Sequence, residues 1–255
     1  MNYVNPLREA AAAGRKIRGA WIASPSAVVA EAVASTGYDY VSVDMQHGAA
    51  DFSDAVMMFT AISGQGTVPM ARVPSNDAAV IGRILDAGAL GIIVPLVDTA
   101  EDAAAAVAAT RYPPHGVRSY GPVRASTTIG SRAPDDLEQI FVAVMVETAT
   151  GLANVDEIAA TPGLDAVYVG PADLALGLGL APAYERPEPE HIAAIERIRL
   201  ACERNGIVAG VHCAGGAMAA RRMAQGFQLT TVMNDLAVVR AGAEHELELA
   251  RGNAS

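Results

Sequence analysis

Eight apolar runs of strand length, separated by longer Ala-rich stretches, dominate the sequence and leave few folds open to it. The runs are 17–23 (IRGAWIA), 40–45 (YVSVDM), 68–73 (VPMARV), 91–97 (GIIVPLV), 141–147 (FVAVMVE), 166–171 (AVYVGP), 207–213 (IVAGVHC) and 229–234 (LTTVMN). Runs this continuously apolar suit strands covered on both faces, the condition of a parallel sheet wrapped in helices. The intervening stretches, such as SAVVAEAVAST, DAAVIGRILDAG and TAEDAAAAVAATR, read as helices. Four of them close on glycine, at Thr36–Gly37, Ala87–Gly88, Asn205–Gly206 and Gln225–Gly226, where a left-handed residue can end the helix. Eight such units in 255 residues match a single (β/α)8 TIM barrel of the α/β class, one domain over 1–255 with no linker. A doubly wound sheet is the competing arrangement. Against it, no GxGxxG follows the first run.

Charge and composition narrow the partners. With 18 Lys and Arg against 28 Asp and Glu, the net charge of −10 repels a phosphate backbone, so no nucleic-acid partner is expected. The N-terminus has no signal-type apolar segment, and no stretch approaches the roughly 18 apolar residues of a membrane span. Neither secretion nor membrane insertion is expected. Cys202 and Cys213 lie outside any CxxC pair and suit a reducing cytoplasm. Two connections, 111–140 and 177–189, exceed what a barrel requires and are candidate lids or subunit contacts.

In a barrel the chemistry gathers at the C-terminal ends of the strands. The polar residues there are Ser24, Asp44, Gln46, His47, Arg72, Glu147, Asp173, His212, Cys213, Asn234 and Asp235. Glu147 and Asp173 follow adjacent strands, and two converging carboxylates suit a hard divalent ion such as Mg²⁺ or Mn²⁺. They suit the starts of helices equally well. In GPADL, the backbone N–H groups of Ala172 and Asp173 form either a carboxylate-binding corner or an ordinary strand-to-helix turn. His47 stands three residues after Asp44, whose carboxylate could orient the imidazole for acid/base work; a surface histidine is the plain alternative. Arg72 interrupts an apolar strand and needs an anionic partner, either a substrate or a structural one in Asp44 or Asp77. Trp21 and Cys213 read as packing residues, and Gly215–Gly216 as a turn or a phosphate loop. The only lysine, Lys16, precedes the first run, so no strand carries a Schiff-base nucleophile.

In this order, DMQHG, ARVPSND, RYPPHGVRSYGPVRAS, VETATGLANVDEI and TPGLDAVYVGPADLALGLG closely resemble the metal-dependent (class II) 4-hydroxy-2-oxoheptanedioate aldolases, the HpcH/HpaI aldolases of the phosphoenolpyruvate/pyruvate barrel superfamily. The resemblance implies cleavage of 4-hydroxy-2-oxo acids to pyruvate, or a close 2-oxo acid such as hydroxypyruvate, and an aldehyde. It implies that Glu147 and Asp173 ligate Mg²⁺, Mn²⁺ or Co²⁺, which chelates the 2-oxo acid. Arg72 would stabilise the developing enolate, and His47 with Asp44 would form the proton-transfer pair. Gly170, Pro171, Ala172 and Asp173 would hold the substrate carboxylate. The resemblance further implies that Asp86 reaches a neighbouring subunit's site and that the chain forms a homo-oligomer, a hexamer exchanging the helix 235–251. Two departures stand out: Met145 where some members carry glutamine, and Gln46 where a better-known motif has glutamate. An acyl-CoA lyase of the citrate-lyase type shares the barrel, yet the net charge offers CoA phosphates no basic surface. A non-catalytic carboxylate-binding barrel would have no use for His47.

Overall fold

The computed structural model describes residues 3–252. Every apolar run becomes a strand: β1 (Ile17–Ile22), β2 (Tyr40–Asp44), β3 (Val68–Arg72), β4 (Gly91–Val94), β5 (Phe141–Val146), β6 (Ala166–Val169), β7 (Val208–Val211) and β8 (Leu229–Asn234). Neighbours pair in parallel and β8 returns to β1, so the sheet closes into a barrel in sequence order. Closure leaves no edge among the described strands, which excludes the doubly wound sheet.

Helices α1 (Pro6–Ala12), α2 (Ala27–Ala34), α3 (Phe52–Gly64), α4 (Ala78–Asp86) and α5 (Ala100–Ala108) lie in the first half of the chain. The long connection 111–140 carries two short helices, α6 (Ala125–Ile129) and α7 (Pro134–Leu137). The second half holds α8 (Ala149–Ala153), α9 (Val155–Ala159), α10 (Pro171–Gly177), α11 (Pro189–Asn205), α12 (Gly216–Ala224) and α13 (Asp235–Ala250). Ser26, Asp51, Asp77, Thr99 and Thr148 accept first-turn N–H groups and so start α2, α3, α4, α5 and α8. The four helix-ending glycines, Gly37, Gly88, Gly206 and Gly226, all adopt positive φ.

Alternate strand residues feed two apolar layers. Ile17, Tyr40, Met70, Phe141, Tyr168 and Leu229 fill the barrel interior. Val41, Val43, Ile92, Val142 and Val167 pack outward against the helices. This double burial is why the strands read as unbroken apolar runs.

The helix α1 joins the inner layer through Leu7 and Ala10 and plugs the N-terminal end of the barrel. Asn5 fastens it: the buried side-chain amide donates to Leu90 O at 2.7 Å and Gln139 O at 2.8 Å, while Oδ1 caps α1 at Leu7 N. Asn5→Ala is expected to lower stability by about 1–3 kcal/mol, because it removes a cap and strands two carbonyls. Urea unfolding of the variant measures this, and an unchanged midpoint would show that α1 is dispensable.

The other terminal helix behaves differently. Asp235 accepts the N–H groups of Ala23 and Ser24 and so pins the start of α13 to the end of β1. Beyond it, every residue from Leu236 to Gly252 is exposed. Among the described residues no helix is long and apolar enough to cross a membrane.

Candidate active site

Strand register brings the first charged pair together. Asp44 and Arg72, the last residues of β2 and β3, are directly opposed across the sheet. Arg72 donates from Nε to Asp44 Oδ1 at 2.9 Å and from Nη2 to Oδ2 at 2.6 Å, a two-point grip that leaves Nη1 without a hydrogen-bond partner among the described residues. Trp21 Nε1 donates to the same Oδ2 at 3.1 Å, and the guanidinium lies 5.0 Å from the indole centroid. The backbone N–H groups of Gln46 and His47 complete the ring of donors around Oδ1. Burial opposes ionisation of Asp44, but the Arg72 hydrogen bonds and charge prevail and hold its carboxyl below the ordinary value. Arg72 thus takes Asp44 as its partner, while Asp77 is occupied with capping α4.

The carboxylate therefore meets His47 through the main chain. The spacing suggested a contact with the imidazole, whereas among the described hydrogen bonds the Asp44 oxygens serve Arg72, Trp21 and the turn. The turn needs Gly48, since a Cβ there would stand 2.2 Å from Asp44 O. His47 is left exposed, at the mouth of the cleft.

The second charged pair is built by β5 and β6. Val146 and Val169 are register partners, so Glu147 and Gly170 follow side by side. Glu147 is buried, and its Oε1 accepts the Leu96 N–H at 2.9 Å. Leu96, in the turn after β4, has φ 55°, a left-handed conformation costly for a leucine. Burial raises the Glu147 carboxyl; the Leu96 N–H counteracts this, and the charge of nearby Asp173 adds to the rise. Pro171 opens α10, where its fixed φ fits, with Gly170 as the cap. His191 Nε2 donates to Pro171 O at 2.9 Å and ties this corner to α11.

These residues fit a hard cation. Glu147 Oε2 occupies space that exists only because residue 170 has no side chain: a Cβ on Gly170 would lie 2.4 Å from it. Two carboxylates close enough to repel each other form an all-oxygen donor set. Among the described residues no group of three or more His, Cys, Asp or Glu gathers, so a bound ion would keep positions for other oxygens. Gly170→Ala is expected to push Glu147 aside and weaken metal affinity at least tenfold with the fold intact, the scale of disturbing a metal site's supporting shell. Titration of the variant with Mn²⁺ tests this; wild-type affinity would remove Gly170 from the account.

A cavity of about 330 Å³ is lined by both members of the first pair and by Asp173 of the second, with Glu147 lying against Gly170 in its wall. Asp44, His47, Arg72, Gly170, Pro171, Ala172 and Asp173 line it, together with Trp21, Ala23, Met145, Tyr184, His212, Asn234 and Leu236. Asp86 lies elsewhere, at the far end of α4, paired with Arg118 Nη2 at 2.8 Å. Ser24 and Asp235 serve the anchoring of α13. Cys213 is buried with its thiol pushed up to about 12 by that burial, an inert packing group.

The family model for HpcH/HpaI aldolase/citrate lyase matches residues 18–241, which spans the whole barrel and this cleft. The chain belongs to the HpcH/HpaI aldolase/citrate lyase family. A hydroxypyruvate/pyruvate aldolase of Rhizorhabdus wittichii is 39% identical over 249 residues, 97% of this chain and 99% of that protein. A 5-keto-4-deoxy-D-glucarate aldolase of Klebsiella pneumoniae is 34% identical, covering 95% of each. Among solved structures, an HpcH/HpaI family protein from Burkholderia cenocepacia superposes with a TM-score of 0.90 at 33% identity, covering 97% of this chain and all of that one. This HpcH/HpaI protein is an enzyme, a carbon–carbon lyase of the class II aldolase type.

Within the HpcH/HpaI cleft, several contributors escaped the sequence reading. Trp21 is more than a packing residue, because its indole N–H and face hold Asp44 and Arg72. Leu96 acts through a backbone N–H, which leaves no mark in its side chain. Tyr184 arrives from the 177–189 connection, and only that loop's excess length hinted at it.

Proposed function

We propose that this chain is a divalent-metal-dependent aldolase that cleaves 4-hydroxy-2-oxo acids to pyruvate or hydroxypyruvate and an aldehyde, and runs the condensation in reverse. The observation that carries the reading is a buried Glu147 carboxylate that feels the charge of Asp173, beside a cavity that Asp173 and the anchored Arg72 both line. Glu147 and Asp173 would hold Mg²⁺, Mn²⁺ or Co²⁺, and the ion would supply Lewis-acid polarisation of the 2-oxo group. The N–H groups of Ala172 and Asp173, in the first turn of α10, are free of intrahelical partners and serve the substrate carboxylate.

Arg72 contributes its uncommitted Nη1. As the C3–C4 bond breaks, its electron pair moves toward the C2 oxygen, and a guanidinium already fixed by Asp44 stabilises the growing charge without reorganising. His47 takes the proton of the C4 hydroxyl, so the aldehyde can leave, and the protonated ring then returns that proton to C3, which gives the 2-oxo acid and restores neutral His47. His47→Ala is expected to slow cleavage by roughly 10²–10⁴ while retaining metal. Metal content measured beside kcat decides this, since loss of the ion would make His47 a ligand.

Metal uptake should depend on pH. Burial and Asp173 make the folded protein hold the Glu147 proton more tightly than the unfolded chain does, and the ion must displace that proton. Affinity is therefore expected to fall with decreasing pH, beginning above the ordinary glutamate range. For the metal-free protein the raised carboxyl pKa has the opposite sign: its contribution to stability declines as pH rises through it. Mn²⁺ titrations at several pH values test the first statement, and a flat affinity would overturn it.

We place the protein in the cytoplasm as a homo-oligomer, a hexamer in which 235–251 is exchanged between single-domain barrels. The exposed Leu236, Val238, Val239, Leu247 and Leu249 of α13 support this. So does a groove beside α12 and β8, lined by Gly216, Ala219, Ala220, Met223, Ala224 and Val232, that a neighbour's helix could fill. Asp86, outside its own cavity, would then serve the neighbouring cleft. Both cysteines are free and buried, in keeping with a reducing compartment. The deciding experiment offers the purified protein pyruvate or hydroxypyruvate with a panel of aldehydes, with EDTA or with each of the three metals. Condensation that persists in chelator would overturn the metal-dependent reading, and light scattering of the same sample reports the assembly.

A further inference from the structure

A line of buried hydroxyls runs through the barrel interior and ends at the cavity. Tyr40 on β2, Tyr168 on β6 and Thr231 on β8 are wholly buried. Tyr40 Oη lies 3.4 Å from Thr231 Oγ1, which is also hydrogen-bonded to Tyr168 Oη. Tyr168 Oη lies in turn 3.4 Å from Nδ1 of His212. His212, just beyond β7, lines the cavity between aromatic neighbours: Trp21 meets it edge-on at 4.9 Å and Tyr184 stacks on it at 5.3 Å.

Proton counting gives this line a direction. If Tyr40 donates to Thr231, Thr231 to Tyr168 and Tyr168 to Nδ1, every buried hydroxyl proton has an acceptor. Reversed, the line ends on a Tyr40 proton that has no further hydrogen bond within 3.5 Å among the described residues, and an orphaned buried donor is costlier than an unfilled lone pair. Burial raises both phenols well above their ordinary range, so they keep their protons. Burial, reinforced by the Arg72 charge, lowers His212 to about 4, so the ring is neutral near neutral pH. With Nδ1 accepting, the one ring proton sits on Nε2. Nε2 has no hydrogen-bond partner among the described residues and is the nitrogen left on the cavity side.

We propose that His212, held as the Nε2–H tautomer by the Tyr40–Thr231–Tyr168 line, is a specificity-determining donor that binds a hydroxyl oxygen of the substrate. This rests on the aldolase reading. A neutral donor walled by two aromatic rings suits a neutral oxygen, whereas the cleft's anionic oxygen has Arg72. Two parts of the reaction can bring such a hydroxyl: C3 of hydroxypyruvate, or the carbon beside the carbonyl of a hydroxyaldehyde.

The test measures kcat/KM for condensation in two arms with Mn²⁺ present. One compares hydroxypyruvate with pyruvate against the same aldehyde; the other compares glycolaldehyde with acetaldehyde against pyruvate. The wild type is expected to favour the hydroxylated member of one arm, which identifies the source. His212→Phe keeps the stacked ring and loses the donor, so that preference should fall about tenfold, the scale of leaving one polar group unpaired. Tyr168→Phe should erode it partially by freeing the tautomer. Nitrogen NMR of the resting enzyme, which needs no substrate, should find the His212 proton on Nε2. An Nδ1–H ring, or an unchanged preference in a folded His212→Phe protein, overturns the inference. A wild type that turns over neither arm would sink the aldolase reading instead, and the NMR result would still decide how His212 is held.

Discussion

Glutamine in place of Glu147 is expected to end metal-dependent cleavage while leaving the barrel standing. The amide keeps an oxygen that can still accept the Leu96 N–H, so the turn after β4 retains its anchor. What disappears is the charge. An amide oxygen is a poor substitute for a carboxylate toward a hard dication, and Asp173 alone leaves a site with one anionic ligand. Disturbing only the outer partners of a metal site costs about 10–100-fold, so losing a ligand should exceed that range in both metal affinity and turnover. Removing a buried carboxylate that burial and Asp173 already penalise should, if anything, raise the stability of the metal-free form. Metal content, kcat/KM and the unfolding midpoint are the three measurements. Wild-type turnover by the glutamine variant would refute the assignment of Glu147 as a metal ligand.

Arg72→Lys is the second large effect. The arginine grips Asp44 through Nε and Nη2, and in the proposed mechanism it also offers Nη1 to the substrate. An ammonium on a flexible stem can neutralise Asp44 or approach the substrate, but its geometry does not allow both. A kcat loss of roughly 10²–10³ is expected, the scale of removing one aimed donor from a developing oxyanion. Asp44→Asn should lose a comparable amount by releasing the guanidinium. Because the two residues act as one unit, the double variant should be little worse than either single one. Strict additivity would show that Asp44 acts independently of Arg72, for instance on His47.

The barrel was legible because its signal is periodic and local. Eight apolar runs became eight strands, each end within three residues of its predicted place and the largest gap at β4, which stops at Val94, since burial on both faces makes each run continuously apolar. The glycine stops were equally readable. Side-chain partnerships were not, because they depend on register. Arg72 could pair with Asp44 or Asp77 until β2 and β3 aligned the former opposite it. Trp21 and His212 gain their contacts only when the sheet closes and brings β1, β6 and β7 around one axis. Asn5 and α1 escaped for another reason: a short polar-capped segment before the first strand has the same appearance whether it dangles or seals the barrel.

That seal has a practical corollary for anyone modifying the protein. With Leu7 and Ala10 seated in the interior and Asn5 bound to Leu90 and Gln139, the floor is shut, and traffic to the chemistry passes through the opposite mouth. The two ends can therefore be engineered separately. Trimming or fusing at the N-terminal helix should shorten the protein's working lifetime under heat without altering what it converts. Redrawing the 177–189 connection, which delivers Tyr184 to the cleft, should change what it converts with little effect on how long it lasts.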